Sequence, residues 1–140
     1  MTTLTTLVDR HGVDVLDHLD RDTLVPILGG LQAQGDIIVV PAVTANRPTA
    51  IARAAVPRQG VAVVRGENGG NTHLLLAEGD AYWDAHTPRD GELKLGTLTV
   101  AEGATAYLAH PEHGYAGIAP GTYEIRRQRE QADAIRLVQD

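Results

Sequence analysis

The chain has no cysteine, no serine and no phenylalanine. Without cysteine there is neither a disulfide framework nor a thiolate metal site. Without serine or cysteine there is no serine or cysteine nucleophile, which removes those classes of hydrolase and leaves Thr72, beside His73, as a formal alternative. Without phenylalanine the core must be built from Val, Leu, Ile and Ala around four tyrosines and Trp83. So few aromatics argue against the usual apolar pocket for a small molecule. Long apolar runs are also missing, and none approaches the roughly 20 residues of a membrane span. The first residues, MTTLTTLVDRHG, carry no basic n-region and no apolar h-region, so no signal peptide is expected. These absences together predict a cytoplasmic protein with no membrane partner. Positive charge is short as well: the net charge is −6, which argues against a general electrostatic grip on nucleic acid. The local exception is Arg126, Arg127, Arg129 and Arg136.

A length of 140 residues fits one domain, long enough to bury a core unaided. Leu4, Leu7, Val8, His11, Val15, Leu16 and Leu19 recur at helical spacing, which predicts an amphipathic helix over 4–19, weakened at Gly12. Its apolar stripe needs a cover, either the domain's own body or another subunit. A short helix over Leu24–Leu28 would end at Gly29-Gly30. Ile37-Ile38-Val39-Val40, set between Gly35 and Pro41, is the strongest strand pattern. Further strands are expected over 60–65, 73–77, 81–83, 93–95, 98–100, 104–109 and 122–127. Asn46-Arg47-Pro48, 66–71 and 87–91 read as turns or loops, and 50–55 as either a helical turn or an extended piece. The tail 130–138 reads as a short helix or an ordered arm. Strands separated by frequent turn signals predict a mainly β fold: a small antiparallel β-barrel or sandwich over 34–140, with an N-terminal helical extension over 1–33.

Chemistry concentrates in His110-Pro111-Glu112-His113-Gly114. Proline at the second position of a type I turn is favoured, and such a turn brings its end Cα atoms within about 7 Å. His110 and His113 could then face one centre with Glu112 beside them. Two imidazoles and a further ligand suit zinc, iron or copper, with zinc or iron the leading ions. His73, opening a strand after a glycine-rich loop, is the natural third ligand. Glu67 or Glu112 would supply a fourth, or Glu112 a general base. The plainer alternative is that both histidines are hydrogen-bonding turn residues, since H-x-x-H around proline is a weak metal signature. In that case no cofactor is needed. His11 reads as part of the helix stripe, His18 as exposed, and His86 as remote from the cluster.

The segment Tyr123–Glu130 alternates Tyr123, Ile125 and Arg127 against Glu124, Arg126 and Gln128. Its arginines could hold an anion or pair with Glu124 and Glu130, and the acidic composition favours pairing. Gly66–Asn71 lacks the Gly-Lys-Ser/Thr ending of a phosphate loop and leads into a strand, so a nucleotide site is not expected.

Three blocks occur in order: Gln34-Gly35-Asp36-Ile37-Ile38-Val39-Val40-Pro41; Gly66-Glu67-Asn68-Gly69-Gly70-Asn71-Thr72-His73; and Leu108-Ala109-His110-Pro111-Glu112-His113 followed by Pro120-Gly121-Thr122-Tyr123-Glu124-Ile125 and Gln128-Arg129-Glu130. This order resembles a group of small, largely uncharacterised bacterial and phage-encoded proteins. There the second block reads G-E-x-T-G-H-x-H and the third continues into Q-R-E-Y. The resemblance implies a compact β domain and no particular activity. Asn71 stands where that pattern has its first histidine, and Gln131 where it has a tyrosine. Two functions therefore compete. One is a non-enzymatic binding or assembly module whose helix 4–19 meets a protein partner or a second copy. The other is a metal-dependent enzyme using His73, His110 and His113. The missing histidine at Asn71 and the lack of a serine or cysteine nucleophile favour the first.

Overall fold

The computed structural model describes residues 2–16, 19–42, 54–64, 72–86 and 93–127. The turn at Asn46–Pro48, the loops 66–71 and 87–91, the tail 130–138 and His18 lie outside the described residues. In chain order the elements are β1 (Thr2–Thr3), α1 (Leu4–His11), β2 (Leu24–Val25), β3 (Ile27–Leu28), β4 (Gln32–Gln34), β5 (Ile37–Pro41), β6 (Ala54–Ala55), β7 (Val61–Val64), β8 (His73–Glu78), β9 (Ala81–Ala85), β10 (Lys94–Val100), β11 (Thr105–His110), β12 (Gly114–Ile118) and β13 (Gly121–Arg127).

The larger sheet has the order β4-β5-β13-β10-β9-β6 and the other β3-β12-β11-β8-β7, with a small β1-β2 pair beside them. Among the described residues neither sheet closes on itself, so the fold is a sandwich and not a barrel. Pairing is antiparallel apart from β3 against β12. The core lies between the sheets. Ile37 and Val39 come from β5, Leu98 and Val100 from β10, Tyr123 and Ile125 from β13. Leu75, Ala106, Leu108 and Ile118 meet them from the smaller sheet. Among the described residues, no helix is long and apolar enough to cross a membrane.

Strand β11 is buried on both faces. Ala106 and Leu108 point into the sandwich, while Tyr107 and Ala109 pack under α1 with Leu4, Leu7, Val15, Leu76 and Tyr115. Leu7 is wholly buried there. The helix is shorter than the 4–19 expected. Gly12 turns left-handed at φ 77° and donates its N–H to Val8 O at 2.8 Å, which ends α1 at His11. The helix expected over 24–28 is absent. Leu24 instead pairs with Thr3, and Ile27 and Leu28 with Gly117 and Ile118. Tertiary strand pairing has overridden the local helix signal.

Two further differences have local causes. The pieces 93–95 and 98–100 form one strand, β10, bulged between Lys94 and Gly96. Strand β12 has a sequence, GYAGI, whose glycines hide the pattern. One of them is demanded by packing: a Cβ on Gly117 would lie 2.7 Å from Pro26 O and 3.1 Å from Ile27 Cα. That glycine lets β3 lie directly against β12.

Candidate metal centre at one end of the sandwich

Two hairpin turns and a strand start meet at one end of the sandwich. In the smaller sheet His73 begins β8 and His110 ends β11. Leu108 pairs with Leu75 and Ala109 with Leu74; continuing that register by one step sets His110 opposite His73. Both share the inward parity of Leu75 and Leu108, and both are buried. The turn 111–113 then carries Glu112 and His113 back over them, closed by Gly114 opposite His110. From the larger sheet comes the turn Gly35-Asp36, since Gln34 pairs directly with Ile37. Gly35 takes φ 59°, as a two-residue hairpin loop requires. A side chain there would intrude on the cluster: a Cβ would lie 2.9 Å from His113 Nε2 and 3.3 Å from His73 Cε1.

The three imidazoles form a compact group. Ring centroids are 4.4 Å apart for His73 and His110, 4.6 Å for His110 and His113, and 6.3 Å for His73 and His113. Ligand atoms of His110, Glu112 and His113 all lie within 4.8 Å of one another. Glu112 and His113 are exposed, so the cluster opens to solvent on that side. His73 Nδ1 meets Gln34 Oε1 at 3.1 Å, and His73 Nε2 meets Asp36 Oδ1 at 3.3 Å. The Glu112 N–H donates to His110 Nδ1 at 3.1 Å. On the far side of Asp36, Arg127 Nε approaches Oδ2 at 4.0 Å. Burial, and then the neighbouring His110, push the His73 pKa down to about 4, against the pull of Asp36. His73 is therefore neutral at pH 7.

Residues 33–128 match the model of a domain of unknown function, DUF8820. The chain belongs to this family. The matched range takes in every site residue named above and leaves out α1. The match is consistent with the expectation of an uncharacterised family. No curated protein and no solved structure matches the chain.

Within the DUF8820 match the ligand atoms of His110, Glu112 and His113 converge, and the His73 ring lies 4.4 Å from that of His110. Glu67 and Asn71 lie outside the described residues. His11 is elsewhere, bonded to Glu78 at 2.9 Å beside Tyr107 and Tyr115. Arg126 pairs with Glu124, as does Lys94 at 3.6 Å. Two site residues escape the sequence reading, Gln34 and Asp36. The available signal is the polar pair flanking Gly35 at the head of the strongest strand. Two polar residues around a turn glycine mark a hairpin end, and hairpin ends are where sandwiches present side chains.

Proposed function

We propose that this end of the sandwich is a divalent transition-metal centre. Its ligands are His110, His113 and Glu112, whose ligand atoms already converge, joined by His73 through Nε2 with Asp36 beside it. The observation that carries the reading is the convergence of His110, Glu112 and His113, whose ligand atoms all lie within 4.8 Å of one another. With the proton of a neutral His73 on Nδ1, a cation at the Nε2 lone pair would sit beside the Asp36 carboxylate, which faces that nitrogen at 3.3 Å. His110 would bind through Nδ1, exchanging the Glu112 N–H for the ion and freeing the turn to bring Glu112 closer. An N/O ligand set of this kind suits zinc or iron. Such an ion supplies Lewis-acid polarisation of a bound substrate, and the exposed Glu112 is the group placed to take a proton.

An open recess of about 190 Å³ adjoins His113, lined largely by Leu4, Leu19, Leu24, Val25 and Tyr115. It has the capacity for an apolar group about the size of a benzene ring.

The test is elemental analysis of protein purified without an affinity tag, then reloaded with zinc. About one equivalent is expected, lost in His73→Ala and His110→Ala. Under a tenth of an equivalent of any transition metal in folded, zinc-treated protein would sink the proposal.

A second reading, self-association, is favoured by a different observation. Leu24, Ile27, Leu28 and Leu31 are exposed around edge strand β3, whereas Leu4 and Leu7 of α1 are buried in the domain itself. A second copy would meet the first at that edge. A monodisperse monomer in light scattering, unchanged in Leu28→Glu, would remove this reading.

A further inference from the structure

We infer that Gln34 is a positioning residue that fixes the proton of His73 on Nδ1 and so presents Nε2 to the cluster. The inference rests on the metal reading for its consequence, but its core is a statement about one imidazole.

Gln34 is buried, with 6% exposure, at the end of β4. Its side-chain amide donates one hydrogen to Leu108 O at 2.9 Å and the other to Gly114 O at 3.2 Å. Both acceptors are backbone carbonyls, which cannot donate. The opposite amide orientation would set Oε1 against two carbonyl oxygens, so the network forces Nε2 toward them. Oε1 is thereby left facing His73 Nδ1 at 3.1 Å. A carbonyl oxygen accepts only, so the Nδ1 atom must carry the proton; in the neutral ring the lone pair then falls on Nε2, the atom 3.3 Å from Asp36 Oδ1. One glutamine thus joins β4 of the larger sheet to β11, β12 and β8 of the smaller one. The same contacts that clamp the two sheets select which nitrogen His73 offers. Outer partners of this kind orient ligating histidines, and their loss typically weakens metal binding by about 10–100-fold.

Clamping and tautomer selection are separable with two substitutions. Gln34→Met removes every hydrogen bond at nearly the same volume. Gln34→Glu keeps an acceptor for His73 Nδ1–H but cannot donate to Leu108 O or Gly114 O. Both are expected to lower the melting temperature. Long-range ¹H–¹⁵N spectra of metal-free protein near pH 7 read the His73 tautomer directly. Competition with a chromophoric chelator reads zinc affinity. The expected result is an Nδ1–H tautomer in wild type and Gln34→Glu, lost in Gln34→Met. Zinc affinity should stay within about threefold of wild type for Gln34→Glu and fall about 10–100-fold for Gln34→Met. An Nε2–H tautomer in wild type overturns the inference, as does an equal loss of zinc affinity in both variants. Wild-type protein that takes up no zinc would remove the metal reading instead, and the tautomer spectrum would still decide the role of Gln34. Should Gln34→Met fail to fold, the spectrum of wild type and the affinity of Gln34→Glu decide it.

Discussion

Gly35 shows how little space the cluster leaves. It combines φ 59° with a Cβ position 2.9 Å from His113 Nε2. The left-handed conformation alone costs an L-residue roughly 1–2 kcal/mol. Gly35→Ala should therefore destabilise by at least about 1 kcal/mol in urea titration. It should also displace His113 and weaken zinc binding, which the chelator competition checks. At Tyr115 the effect is one of pH. Burial raises its pKa to about 12, and ionisation would also forfeit the hydrogen bond that the phenol donates to Val13 O. The unfolded tyrosine ionises near pH 10, so between about 10 and 12 the unfolded state holds fewer protons than the native one, and stability falls as pH rises. Tyr115→Phe should lose about 1 kcal/mol at neutral pH through the missing hydrogen bond. Its melting temperature should then decline less than that of wild type between pH 9.5 and 11. A parallel decline in the two proteins would contradict the assignment.

At the scale of elements, α1 acts as a lid on the outer face of the smaller sheet. Leu7 has no exposed surface and packs with Leu4, Tyr107 and Tyr115. Leu7→Ala should cost about 2–5 kcal/mol, as buried leucine truncations do, with the loss read by chemical denaturation. Arg10 and His11 tie the same helix to Glu78 of β8. The pairing of β9 with β10 depends on Gly96, where a Cβ would lie 2.5 Å from Trp83 Cη2 and 2.6 Å from Asp84 O. Gly96→Ala is expected to destabilise by roughly 1–3 kcal/mol through overpacking, visible as a lower melting temperature. A neutral outcome there would mean that the Trp83 ring has another position open to it.

For the whole molecule, the ion and the fold are linked. The proposed ligands come from β8, from the end of β11 and the turn after it, and from the turn before β5, and those turns belong to different sheets. An ion held by all of them binds the native state and not the unfolded chain. At a free zinc concentration a hundred times the dissociation constant the gain is about 2.7 kcal/mol. In a domain of this size the melting temperature should then rise by roughly 5–10 °C. His73→Ala and His110→Ala should show no such rise, and calorimetry with and without zinc checks the difference.

The sequence by itself determined a good deal. Its β-branched runs and turn residues specify a mainly β domain, because period-2 patterns and glycine punctuation act locally. His110-Pro111-Glu112-His113 identifies itself as a turn, since proline and the residues after it restrict only their own backbone. His73 could be singled out by its position at the head of a strand. Tertiary structure decided the remainder. Which strands pair is a matter of long-range contacts, so the register that sets His110 opposite His73 is invisible in either segment alone. Within 24–28, Leu24–Val25 became a strand by pairing with β1, and Ile27–Leu28 because β12 offered an edge that Gly117, without a side chain, leaves open. Gln34 and Asp36 joined the site only when one hairpin of the larger sheet closed over one of the smaller. The choice between barrel and sandwich followed from sheets that, among the described residues, do not close on themselves, which no local pattern encodes.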